Sequence, residues 1–250
     1  MTDAELVRDA LRAAFESLYA LFDGALYERR DGYDFLLIPQ IPVAQFNGVW
    51  PIDDEAAPEL PTALAELEAA GVPSSVQLRD GQTPACEAEA RRFGLTTELA
   101  MPAMVVRAPG LRKRAVDGIT ISAVADDEQR TLAAETAAAS FDAPLSIFEP
   151  IYRKKVLGAD GVRAYLARTG DDVVSTSIGY TLADTVGIFN VATPADYRGR
   201  GYGAAVTAAA ARGGFEAGAE VAWLQASELG FSVYRGLGFE QVATDRLLTR

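Results

Sequence analysis

The sequence predicts a mixed α/β fold assembled from two similar halves. Strand and helix signals alternate along the second half, and short sequences recur at one offset. The composition is that of a globular chain. Of 250 residues, 49% are hydrophobic and 23% charged, enough apolar material for one large core or two of ordinary size. The recurrence is specific. "FNGVWP" (46–51) resembles "FNVATP" (189–194) at an offset of 143 residues, and "RRFGL" (91–95) resembles "RGLGF" (235–239), with Gly94 and Gly238 144 apart. Two likenesses at nearly one offset indicate an internal duplication.

The elements follow in order. "MTDAELVRDALRAAFESLYALF" places Leu6, Val7, Leu11, Ala14, Phe15 and Leu18 at helical spacing, the mark of an amphipathic packing helix. Its acids set it apart from a signal peptide. "LPTALAELEAAGVPSSVQLRD" runs helix, then strand. "RAPGLRKRAVDG" (107–118) is the best boundary, giving domains at 1–108 and 118–250 and a linker at 109–117 whose cluster Arg112, Lys113 and Arg114 reads as solvated. "GITISAV" (118–124) is a strand, and "DDEQRTLAAETAAASF" (126–141) is a helix with acids in its first turn. "LSIFEPIYRKKVLG" suggests a helix interrupted by Pro150. "VRAYLAR" and "VVSTSIGYTLAD" are strands joined at Gly170-Asp171-Asp172, and "TVGIFNVAT" (185–193) is a third. An alanine-rich helix (203–218), a strand (220–227), a short helix and a final strand complete the chain. Alanine combines high helix propensity with a small side chain, so the alanine helix can lie close to a sheet.

Composition excludes much chemistry. A single cysteine, Cys86, forbids an internal disulfide and any CxxC motif. With no histidine there is no serine triad, Cys–His pair, HExxH zinc site or histidine base, and no metal is expected. A net charge of −12 argues against nucleic acid as a partner and leans toward cationic small molecules. No apolar run approaches the roughly 20 residues that span a bilayer, so no membrane partner is expected, and the expected address is the cytoplasm.

The motif that carries chemistry is "ADYRGRGYGAAV" (195–206). Glycines at 199, 201 and 203 permit backbone conformations closed to other residues and let a ligand approach the main chain. The turn opens a helix, whose first N–H groups lack partners and whose dipole end is positive, a natural seat for phosphate. Arg198 and Arg200 add charge. A P-loop would need GxxxxGK[ST], and no lysine or hydroxyl follows these glycines. A Rossmann turn would need GxGxxG directly after a strand, whereas here the spacing is GxGxG, with residues 194–197 between strand and arginine.

Arg198-Gly199-Arg200-Gly201-Tyr202-Gly203 resembles instead the Arg-x-x-Gly-x-Gly pattern of the GNAT superfamily of N-acetyltransferases. Downstream, "SELGFSVYRGLGFE" resembles the closing S-x-x-G-x-x-x-Y-x-x-LGF signature of that superfamily. The close resemblance covers residues 119–250, and the first half resembles a degenerate copy, as in tandem-GNAT proteins. Offset 143 carries Arg198 to Glu55, Gly201 to Pro58 and Gly203 to Leu60, so the first copy lacks the cofactor turn.

The resemblance implies two GNAT-like domains, each a mixed, mostly antiparallel twisted sheet flanked by helices. It also implies direct acetyl transfer from acetyl-CoA to an amine, without a covalent enzyme intermediate. Val191, Ala192 and Thr193 would splay from the neighbouring strand and pair with the pantetheine arm, and the Val191 or Ala192 N–H would polarise the thioester carbonyl. Residues 198–204, from Arg198 through Gly199, Arg200, Gly201, Tyr202 and Gly203 to Ala204, would hold the pyrophosphate. Ser227 would lie near the cofactor, and Tyr234 would be the general acid for the departing thiolate. Glu149, with Asp142 nearby, lies in the segment that frames substrate in the superfamily and is the candidate base. A non-catalytic acyl-CoA sensor or scaffold on the same fold is the alternative, which retention of both the turn and Tyr234 disfavours. The expected substrate is a small-molecule amine, and the first half would wall its cleft or supply a homodimer surface.

Overall fold

In a computed structural model the protein is described over residues 1–114 and 116–250. The expected linker at 109–117 contains Ala115, which lies outside the described residues. These residues group into two units, one of residues 15–103 and 242–250 and one of residues 1–14 and 104–241. Helix α1 (Asp3–Tyr19), strand β5 (Thr97–Arg107) and strand β11 (Glu240–Thr249) each contribute to both.

The first unit contains β1 (Leu26–Arg30), β2 (Tyr33–Leu37), β3 (Gly48–Pro51), α2 (Leu60–Ala69), β4 (Ser75–Arg79) and α3 (Pro84–Arg92). Its strands run β1-β2-β3-β4-β11. Pairing is antiparallel except between β3 and β4, which α2 joins in parallel. Leu60, Leu64 and Leu67 occupy one face of α2 and are fully buried with Phe35, Val49 and Leu78. Strand β11 is fastened by charge. Arg79 Nε and Asp245 Oδ1 lie 2.9 Å apart with side chains 9% and 4% exposed, and Arg246 pairs with Glu87.

The second unit contains β6 (Thr120–Ala123), α4 (Asp127–Phe141), α5 (Leu145–Tyr152), α6 (Lys154–Leu157), β7 (Val162–Thr169), β8 (Asp172–Leu182), β9 (Thr185–Ala192), α7 (Tyr202–Glu216), β10 (Val221–Gln225) and α8 (Glu228–Gly236). Its strands run β10-β9-β8-β7-β6, antiparallel except for the β9–β10 pair joined by α7. Each unit is therefore a mixed, mostly antiparallel sheet flanked by helices, the class expected from the sequence. The alanine helix lies close to its sheet, with Ala204, Ala205, Ala208, Ala210 and Ala211 buried. A Cβ on Gly214 would stand 2.4 Å from Val186, so even alanine would crowd that contact.

The two recurrent sequences lie on strands with the same pairing pattern but at opposite ends of them. "FNGVWP" enters β3 and "FNVATP" ends β9, each strand pairing antiparallel with the strand before it and parallel with the one after. Gly94 (φ 96°) and Gly238 (φ 95°) close α3 and α8 in the left-handed region that favours glycine. One expectation is corrected. Pro150 does not interrupt its helix, because α5 continues through it to Tyr152 and ends where Arg153 turns extended (ψ 155°). The proline removes only a bond to the carbonyl of Ser146, an exposed residue that water can serve.

Candidate functional site

In the second unit the sequence-predicted site residues lie on one strand, one turn and three helices. Antiparallel pairing sets Thr176 opposite Ala192 and Ile178 opposite Phe189, so β9 has one residue too many there and bulges. The bulge holds Asn190 at φ 51°, a conformation asparagine tolerates better than most residues. Its amide Nδ2 donates to the Tyr152 hydroxyl at 3.0 Å, which lies 3.5 Å from Thr176 Oγ1. Tyr152 is 1% exposed, and burial pushes its pKa up, so it stays a neutral hydroxyl. On its other edge β9 pairs in parallel with β10 from Thr185–Val221 to Gly187–Trp223. Ile188 to Ala192 lie beyond that register. At the fork Phe189 and Trp223 meet edge to face, ring centroids 5.4 Å apart, over Gly187. A Cβ on Gly187 would lie 2.6 Å from Trp223 and 2.7 Å from Phe189.

Past the bulge the chain is tied down. Thr193 N–H donates to Ser140 Oγ at 2.9 Å, and Arg198 Nε donates to Thr193 O at 3.0 Å. Arg198 Nη2 reaches Ser140 O at 2.7 Å. The amide of Thr193 thus serves the fold, and Arg198 is a brace between α4 and the turn. Ser175 Oγ donates to Ala192 O at 2.8 Å, so Val191 and Ala192 sit on a strand held from behind. Gly199 (φ 76°) and Gly201 (φ 88°) then bend the chain left-handed into α7, with no side-chain cap at Gly201. Tyr202 and Ala204 turn inward and are buried, while Gly199 and Arg200 stay exposed. A Cβ on Gly203 would meet Thr193 Oγ1 at 3.1 Å, so the bare backbone keeps turn and strand end close.

The closing signature also has a physical basis. Ser227 Oγ accepts from Gly230 N–H at 3.2 Å and caps α8. Gly230 leaves room for the Tyr234 ring, whose Cε2 would lie 2.6 Å from a Cβ there. Tyr234 is 8% exposed and packs 6.1 Å from the Phe239 ring. Burial pushes its phenol up to about 12, so it holds its proton at neutral pH. Glu149 lines a cleft of about 240 Å³ between α4 and α5, together with Arg130, Leu145 and Tyr152. Tyr152 lies one turn beyond Glu149 on α5 and is the residue bonded to the bulge. The side chain of Glu149 is exposed.

Sequence reasoning missed Asn190, Tyr152 and Ser140. The recurring "FN" dipeptide marked the first, and nothing marked the others. Among the described residues no helix is long and apolar enough to cross a membrane, and no group of three or more Cys, Asp or Glu is placed to hold a metal.

A forked, bulged strand followed by a glycine turn that opens a helix gives the second unit the fold of GCN5-related N-acetyltransferases. Residues 127–239 match the acetyltransferase (GNAT) family, and this stretch is a GNAT-family domain. The structure is similar to a GCN5-related N-acetyltransferase from Kribbella flavida, with 22% identity over 96% of this chain and 94% of that one and a TM-score of 0.72. It is similar also to a GCN5-related N-acetyltransferase-like protein from Streptococcus suis, with 14% identity over 99% of each chain and a TM-score of 0.61. A third likeness is to a tandem GNAT protein of the clavulanic acid biosynthesis pathway, with 14% identity over 92% of this chain and 84% of that one and a TM-score of 0.57. No curated protein matches the chain.

Proposed function

We propose that the protein is an N-acetyltransferase that moves the acetyl group of acetyl-CoA to a primary amine of a small molecule in the cytoplasm. The observation that carries this reading is the turn at Gly199 and Gly201, two left-handed glycines that lead uncapped amides into α7 beside the forked end of β9. Acetyl-CoA would supply an activated thioester. The amides of residues 199–204 hold its diphosphate at the positive end of the helix. Val191 and Ala192 present main-chain groups to the pantetheine arm, and one of their N–H groups polarises the thioester carbonyl. The Asn190–Tyr152 bond keeps that strand in its bulged shape.

Tyr234 acts on the departing sulfur. A thiol with a pKa of about 8.5 is a stronger acid than a phenol at about 12, so full proton transfer from Tyr234 runs uphill. The phenol therefore serves first as a hydrogen-bond donor that stabilises the thiolate. Glu149 accepts the proton of the incoming amine, directly or through water in the α4–α5 cleft. A net charge of −12 leans toward a cationic amine.

In the first unit, the turn that an offset of 143 makes the counterpart carries Asp53, Asp54 and Glu55, the last in place of Arg198, and these carboxylates repel an anion. Asp54 Oδ1 already accepts from the amides of Ala85 (2.9 Å) and Cys86 (3.2 Å), and Asp53 Oδ1 accepts from Glu55 (3.0 Å). We assign that unit a structural role, as a degenerate copy. The test is release of free CoA from acetyl-CoA across amine classes, aminoglycosides and polyamines included, beside calorimetry with acetyl-CoA alone. Turnover with one class is the expected result. Binding without release from any amine would make the protein an acyl-CoA sensor, and no binding would defeat the proposal.

A further inference from the structure

The basic cluster at 112–114 is exposed, as a solvated linker is, and its last residue, Arg114, also stands against the glycine turn. A Cβ built on Gly201, in the middle of the glycine turn, would stand 3.2 Å from Arg114 Nε and 3.1 Å from Val116 Cγ2. The segment arrives there because it is anchored upstream on α8. Arg112 N–H donates to Leu237 O at 2.9 Å, and Gly110 O would lie 2.2 Å from a Cβ on Gly238. The chain between β5 and β6 thus carries Arg112, Lys113 and Arg114 from the last turn of α8 to the first turn of α7. All three are exposed.

Charge makes this placement informative. The chain has 23 basic and 35 acidic residues, and Arg30, Arg91, Arg107 and Arg246 each hold a carboxylate. Arg112, Lys113 and Arg114, with Arg200 inside the turn, form no ion pair among the described residues. Arg200 only overhangs the Tyr197 ring at 5.9 Å. Arg114 and Arg200, both at the positive end of α7, repel it and each other, and an anion relieves both. A diphosphate carries enough charge to answer them, and a guanidinium offers it paired N–H donors.

Resting on the acetyl-CoA reading above, we propose that Arg114 is a phosphate-binding residue of the cofactor site, gripping the diphosphate together with the amides of the turn. Calorimetry of the full chain with CoA and with dephospho-CoA, which share the diphosphate, tests it. Arg114→Gln should weaken both by about tenfold or more, as loss of a charged hydrogen bond does. Arg114→Lys should recover part of the loss. Trypsin cuts after Arg112, Lys113 and Arg114, so saturating CoA should slow cleavage there in the unaltered protein. Equal affinities in the wild-type and Gln proteins would overturn the assignment, as would a cleavage rate indifferent to bound CoA. Weakening confined to CoA would also overturn it, by moving the contact to the 3′-phosphate. A wild-type protein that binds neither compound would sink the acetyl-CoA reading itself, whereas the other failures leave that reading standing.

Discussion

Tyr234 shows how burial selects a role for one side chain. A phenol raised to about 12 can donate a hydrogen bond across the whole physiological range but cannot act as a base there. Tyr234→Phe should lower kcat about 10²- to 10³-fold, the range for losing one hydrogen-bond donor to a developing negative charge, with little change in KM. Steady-state rates measured with saturating acetyl-CoA check this, and wild-type turnover in the variant would refute it. The same burial links Tyr234 to stability. Because its folded pKa lies above the unfolded value of about 10, its contribution is complete below pH 10 and is lost as the pH rises toward 12. Tyr234 and the glycines were legible in the sequence because a signature fixes their spacing. Asn190 and Tyr152 were not, since a left-handed asparagine in a bulge depends on register, and their partnership joins residues 38 positions apart.

At the scale of elements, most helices and strands could be read because period and capping agree with burial. Ser227 and Asp126 cap the helices that follow them, and the alanines of α7 face the sheet. The error at Pro150 came where a local rule met a tolerant environment. Pro150 sits inside α5 because the bond it forfeits ends at an exposed carbonyl. Arg112 to Arg114 read as a solvated run and are exposed, and the anchoring at Leu237 and Gly238 is what brings Arg114 to the turn. The turn itself yields a sharper expectation. Gly201→Glu would force a side chain into a left-handed position already bordered by Val116 and Arg114, and would add a carboxylate where phosphate belongs. Acetyl-CoA binding by calorimetry should vanish while far-UV circular dichroism is unchanged. Retained affinity would remove the turn from the cofactor site.

For the whole molecule, the chain's last strand decides what stabilises the unit of residues 15–103 and 242–250. No local pattern in "FEQVATDRLLTR" tells which strand it will join; its arginines and aspartate become informative only once their partners are known. Arg246 and then Arg91 hold Glu87 down to about 2, so this carboxylate stabilises the protein fully above about pH 4.5 and less as the pH falls toward 2. Glu87→Gln should flatten that acid limb in urea titrations run at successive pH values. The Arg79–Asp245 pair is more deeply placed, with little water to screen either charge. Removing one member of such a pair costs about 3–5 kcal/mol, because the other charge stays behind without its counter-ion. Asp245→Ala should therefore destabilise the protein by about that amount, with Asp245→Asn milder since it keeps hydrogen-bonding capacity. Exchange of the β4 amides should quicken first, as Arg79 lies on that strand and Asp245 is its register partner on β11. A loss below about 1 kcal/mol in denaturant unfolding would mean that the packing of Leu247 and Leu248, not charge, fastens the strand.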